Sequence, residues 1–221
     1  MSQVFINEVG KLKKQILSLS AQVEESLILA VKALLTRDEE LAQQVIRGDF
    51  DVDQVEVEVE EEALKILALY QPVATDLRFL TAVLKINSDL ERIGDLATNI
   101  AKRAVKMCKE PALTMPDELG QAATRARDMV HNSLNAFVNF DAGPAKAVCG
   151  SDEAVDQFCR QVRRFVETQI QKDPARISCY LDMLLASRNI ERIGDHATNI
   201  AEDVIYLVEG TIVRHRPEAT V

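Results

Sequence analysis

ERIGDLATNIA, residues 91–101, returns one hundred positions later as ERIGDHATNIA, residues 191–201. Ten of the eleven positions are identical, and only Leu96 and His196 differ. A match of that length marks a duplicated unit. On a helix that turns about 100° per residue, Asp95 lies about 40°, Asn99 about 80° and position 102 about 20° from Glu91. Leu90, Ile93, Ala97, Ile100 and Ala104 gather on the other side, between about 180° and 260°. The segment therefore reads as an amphipathic helix with oxygen side chains opposite an apolar stripe. Glu191, Asp195, Asn199 and Glu202 face away from Ile190, Ile193, Ala197, Ile200 and Val204 in the same manner. Lys102 stands where the second copy has Glu202, so the second stripe is the more anionic.

Outward from this helix the period continues. Leu12, Ile16, Leu19, Val23, Leu27, Ala30, Val31, Leu34 and Leu35 follow helical spacing, which predicts a first helix over about 4–35. Asp38 is an expected N-cap for a second, over about 39–70. Val55 to Glu60 alternates like a strand, but it runs into EEALKILALY and belongs to that helix. Gln71-Pro72 ends it, and Asp76 sits in the first turns of a third helix reaching Lys109. Residues 110–117, with Pro111 and Pro116, form the one clear linker. Beyond it the spacing predicts helices over 116–140, 145–171 and from Asp173-Pro174 to 208, with a turn at Asp141–Pro144 and Gly210 as a C-terminal stop. The expected fold is all-α: six long helices as two tandem, pseudo-symmetric three-helix bundles, residues 1–110 and 116–210, followed by a weakly ordered tail at 211–221. Eight glycines, six prolines and no tryptophan agree with helices rather than sheet.

Each half offers a second acidic stripe. Asp49, Asp53, Glu56 and Glu60 fall within about 60° of one another. Asp152 and Asp156 repeat the first two at an offset of 103, but Cys159 and Arg163 replace the others. From Asp49 to Glu62 eight of fourteen residues are acidic and none is basic. Like charges one turn apart cost about 0.2–0.5 kcal/mol per pair, so two such stripes side by side call for a cation. Carboxylates and carboxamides are hard ligands suited to Mg, Ca, Mn or ferric iron. The candidate metal ligands are Asp49, Asp53, Glu91, Asp95 and Asn99 in the first half, and Asp152, Asp156, Glu191, Asp195, Asn199 and Glu202 in the second. A solvated helix face would show similar acids, but their recurrence in two copies weighs toward metal. Gly94 and Gly194 are expected to permit close helix packing. Arg92 and Arg192 are expected to form local ion pairs or a binding face, and His196 to pack.

A net charge of −9 without a basic cluster argues against nucleic acid. No signal segment or membrane-length apolar run is present, so the expectation is a cytosolic protein, peripheral to a membrane at most. Cys108, Cys149, Cys159 and Cys179 lack paired spacing and read as free thiols. The di-iron signature needs Glu-x-x-His on facing helices; Asp128-Met-Val-His131 approximates it once, and His131 reads as an ordinary helix residue. No phosphate loop or nucleophile elbow occurs, so no catalytic residue is assigned.

With the repeated segments and Gln71–Arg78, QPVATDLR, the chain resembles the PhoU family over nearly its whole length. The resemblance implies E(D)xxxD motifs that hold multinuclear iron, or Mn, Zn or Mg, on Asp49, Asp53, Glu91 and Asp95 and on Asp152, Asp156, Glu191 and Asp195. It also implies a homodimer or a higher oligomer. It further implies a regulator acting with the ATPase subunit of a phosphate ABC transporter and a phosphate-sensing histidine kinase to repress phosphate uptake and starvation signalling. Cys159 and Arg163 depart from the pattern. A metal-dependent hydrolase or oxidase, and a purely structural helical module, are the alternatives.

Overall fold

The computed structural model describes residues 3–213. Six long helices carry it: α1 (Gln3–Thr36), α2 (Glu39–Tyr70), α3 (Ala74–Cys108), α4 (Asp117–Asn139), α6 (Asp152–Lys172) and α7 (Ile177–Glu209), with a short α5 (Ala142–Cys149) between α4 and α6. No strand occurs among the described residues. The alternating Val55–Glu60 run lies inside α2: Val59 is buried, Val55 half-buried and Val57 exposed, as a helical period requires.

The ends follow local chemistry. Asp38 caps α2, its side chain accepting from the Leu41 amide at 3.0 Å. Gln71 adopts φ 45° and closes α2 onto Leu67. Gly210, at φ 73°, closes α7 onto the Tyr206 carbonyl, as expected of a glycine stop. Arg37 donates to the carbonyls of Met107 at 2.6 Å and Glu110 at 2.5 Å, satisfying the exposed end of α3.

Two boundaries differ from expectation. Residues 142–144 are not a turn but the start of α5. Asp141 accepts from the Gly143 amide at 2.9 Å, and Pro144 lies in the first turn, where a missing N–H costs nothing. The single helix expected over 145–171 is broken at Gly150-Ser151, where the chain tightens onto Lys146 and Val148. Of the expected loose tail, Thr211 and Ile212 are exposed and Val213 is buried; residues 214–221 lie outside the described part.

α1, α2 and α3 pack mutually; α4, α5 and α6 pack around α7; and α3 lies along α7. The buried apolar residues of both groups form one continuous core. The α3–α7 seam also carries charge. Lys85 meets Asp203 at 2.8 Å, Arg103 meets Asp182 at 2.9 Å, and His196 Nδ1 meets Asp89 at 2.8 Å. These pairs run in opposite directions along the two helices, which makes them antiparallel. No helix among the described residues is long and apolar enough to cross a membrane.

Candidate metal-binding faces

Within each repeat the repeated segment lies beside the acidic stripe of the preceding long helix. In the first repeat the carboxylates of Asp49, Asp53, Glu91 and Asp95 are close enough to act on one another's protonation. Burial pushes the Glu91 carboxyl up, and the charges of Asp95, Asp53 and Asp49 add to it against Arg92. Burial likewise raises Asp49, while a hydrogen bond with Thr98 and the charge of Lys102 oppose the rise. Glu56 is raised by burial and by Glu60, Glu91 and Asp53. Arg92 stands 3.3 Å from Glu91 and 3.7 Å from Asp95, the local ion pairing expected of it. Asn99 is exposed.

The second repeat gathers Asp152, Asp156, Glu191 and Asp195 in the same way. Burial and then the charges of Asp195, Asp156, Glu191 and Glu153 push the Asp152 carboxyl up to about 6. Burial and Asp156 raise both Glu191 and Asp195. The repeats differ at a threonine contact. Thr98 bonds Asp49 in the first, whereas Thr198 Oγ1 and Asp152 Oδ1 in the second are both buried without a hydrogen-bond partner.

The two glycines explain how the helices come so close. A Cβ on Gly94 would lie 3.3 Å from Val52 Cγ1, and one on Gly194 would lie 3.2 Å from Asp152 Oδ1. Gly194 thus makes room for a carboxylate as well as for packing.

Other expected ligands point elsewhere. Asn199 donates to Asp89 at 3.3 Å, toward the α3–α7 seam. His196 binds the same carboxylate, so it holds an inter-repeat hydrogen bond rather than merely packing. Glu202 borders a cleft with Thr81, Lys85 and Tyr206 and acts electrostatically on Cys149. Among the described residues no three His, Cys, Asp or Glu side chains converge into a ready-formed metal centre.

Sequence reasoning missed Asn87 and Asp89. Asn87 is buried and donates to the Glu56 carbonyl at 2.9 Å and to its carboxylate at 2.8 Å. At the equivalent place in the second repeat the Cys159 thiol meets the Ser187 carbonyl at 3.5 Å. Setting NSDLERIGD beside SRNIERIGD shows the substitution at 87 and 187. Nothing in the pattern pairs Asp89 with His196, 107 residues away.

Because Asp152 titrates near 6 when folded and near 3.8 otherwise, it holds its proton more tightly in the folded state. Its ionisation therefore destabilises the metal-free protein above about pH 6, and the penalty disappears as pH falls from 6 to about 4. Asp152→Asn is expected to raise the stability of chelator-treated protein at pH 7 by about 1 kcal/mol, a figure discounted for solvent screening. It should also flatten the rise between pH 6 and 4. Urea unfolding at pH 7 and pH 5 checks this, and an Asn variant that is less stable at pH 7 would contradict it.

Comparison with known proteins agrees with the repeat. A family model described as PhoU domain matches residues 16–104 and 119–204. The chain is 42% identical over 216 residues to the phosphate-specific transport system accessory protein PhoU homolog of Pseudomonas putida, covering 97% of this chain and 84% of that protein. The crystal structure of PhoU from Pseudomonas aeruginosa superposes with a TM-score of 0.91 at 40% identity, covering 94% of this chain and 100% of that one. The phosphate transport system regulatory protein PhoU from Streptococcus pneumoniae gives 0.87 at 29%, covering 95% and 99%.

Proposed function

The chain belongs to the PhoU family, and from that premise we propose that it is a negative regulator of phosphate uptake and phosphate-starvation signalling. In this reading it is a non-enzymatic, cytoplasmic adaptor between the phosphate ABC transporter and a phosphate-sensing histidine kinase, and it works as a homodimer. The observation that carries the reading is the near full-length match to proteins named as accessory to, or regulatory of, phosphate transport.

The acidic faces are the sites this reading assigns to metal. Asp49, Asp53, Glu91 and Asp95 would hold one group of ions, and Asp152, Asp156, Glu191 and Asp195 the other. The donor set fits hard cations such as iron, Mn or Mg, with Zn also accommodated by carboxylates. Two features support the fit: the orphaned buried Asp152 oxygen, and carboxyls raised by burial and then by one another's charge. Bound cations supply positive charge. The chain itself presents the carboxylates on rigid helices, with Gly94 and Gly194 keeping those helices close.

Deleting the gene is expected to derepress alkaline phosphatase at high phosphate, and reintroducing the wild-type chain to restore repression. Metal analysis of protein purified without chelator is expected to find iron or a related ion, reduced by Asp95→Ala together with Asp195→Ala. Unchanged repression after deletion, with normal phosphate uptake, would overturn the regulatory reading. Metal-free protein that shows no thermal shift with iron, manganese or zinc would overturn the metal assignment.

A further inference from the structure

The outward line of α2 is apolar where that of its repeat counterpart is charged. Phe50, Val57 and Leu64 are 70%, 49% and 50% exposed. Residues seven apart drift by only about 20° on an α-helix. The three therefore form one seam, about 21 Å long at 1.5 Å per residue. Exposed acids flank it on both sides: Asp53 and Glu60 toward α3, Glu58 and Glu61 away from it. At the offset of 103 the matching positions of α6 are Glu153, Arg160 and Glu167. Arg160 there bonds Glu153 at 2.5 Å, and Glu167 bonds Arg163 at 3.2 Å. The fold is thus made in the second repeat with a self-neutralised polar line, so folding does not require the apolar seam of the first.

We propose that this seam is the docking surface for an amphipathic helix of a partner protein, one with apolar residues at heptad spacing and lysine or arginine on either side. Apolar residues at seven-residue spacing supply one of the two contact positions of a heptad, the other being polar here at Gln54 and Glu61, so a second helix lying along α2 meets a single apolar row with charge beside it. The charge selects the partner: Glu58, Glu60 and Glu61 are exposed beside the seam and are not among the metal-assigned carboxylates, and no base stands between Phe50 and Leu64, so an acidic helix is repelled and a basic one is drawn in. A second copy of this chain is a poor occupant through α6, whose outward line carries no large apolar residue. The proposal rests on this face alone and stands apart from the regulatory reading.

The test uses the full chain and a labelled synthetic helical peptide of about 22 residues, long enough to span the seam with one turn to spare at each end. The peptide carries leucines at heptad a and d positions and lysines at e and g. Fluorescence anisotropy is expected to show binding that weakens as salt rises. The affinity should fall at least about tenfold in Phe50→Ser/Val57→Ser/Leu64→Ser, and also fall in Glu58→Gln/Glu61→Gln. All five positions are exposed, and an unchanged circular dichroism melt verifies the fold. Absence of binding to the wild-type chain overturns the proposal. So does equal binding by the triple variant, or by a scrambled peptide of the same composition. Sedimentation supplies a further check: a triple variant that falls from dimer to monomer makes the seam a contact between copies and also overturns it.

Discussion

Replacing Ile193 by Ala is expected to cost about 3 kcal/mol of unfolding free energy, while Asp195→Ala, two residues on, leaves stability unchanged or raises it slightly. Ile193 is fully buried. Removing its outer carbons forfeits their transfer energy and leaves a cavity that neighbouring helices fill only in part, which for such residues costs about 2–5 kcal/mol. In a protein of this size the loss lowers Tm by about 6–12 °C. Asp195 lies on the opposite face, where burial and Asp156 already oppose its charge, so in metal-free protein its removal relieves repulsion. Thermal melts of both variants in chelator decide the matter. Equal losses in the two would mean that the motif's faces are not divided as described. Ile93→Ala should match Ile193→Ala, because both side chains are fully buried in one continuous core. Both should shift a single transition; two separate transitions would show halves that unfold independently.

Arg103→Met is expected to cost about 2–3 kcal/mol, somewhat less than for a fully buried pair because the arginine keeps some solvent contact. The side chain of Asp182 is 12% exposed and that of Arg103 29%, and they meet at 2.9 Å across the α3–α7 seam. Without the guanidinium, Asp182 is left largely buried with its charge unpaired by Arg103. Arg103→Met with Asp182→Leu should recover most of the loss, since an apolar pair of similar volume replaces a buried ion pair at little or no cost. Urea unfolding of the single and double variants measures the coupling. A single variant within about 0.5 kcal/mol of the wild type would show that the seam is held by its apolar contacts alone.

How much of this was legible beforehand depended on the range of the interaction. The helices, the Asp38 cap and the Gly210 stop follow from neighbours within a few residues, and they could be placed from spacing. The break at Gly150-Ser151 could not. Nor could the start of α5, which rests on Asp141 capping a short helix whose proline occupies a position that needs no donor, while a turn reading of Asp141–Pro144 competes with it locally. The acidic stripes were also legible, since their angular positions are set by helix geometry. Their unequal character was visible in part, through Lys102 and Glu202 and through Glu56 and Cys159. The sharper difference, a bonded Asp49–Thr98 pair against an orphaned Asp152 and Thr198, depends on side-chain placement between two helices.

The sequence by itself determined the duplication, the helical class and which face of each repeated segment is polar, because these follow from identity at an offset of one hundred and from the helical period. Only the tertiary structure decided that His196 and Asn199 turn to Asp89, that Asn87 holds Glu56, and that Gly194 shelters a carboxylate. Those contacts join helices far apart along the chain. Their partners are chosen by how α3 lies against α7 and α2, which no local pattern encodes.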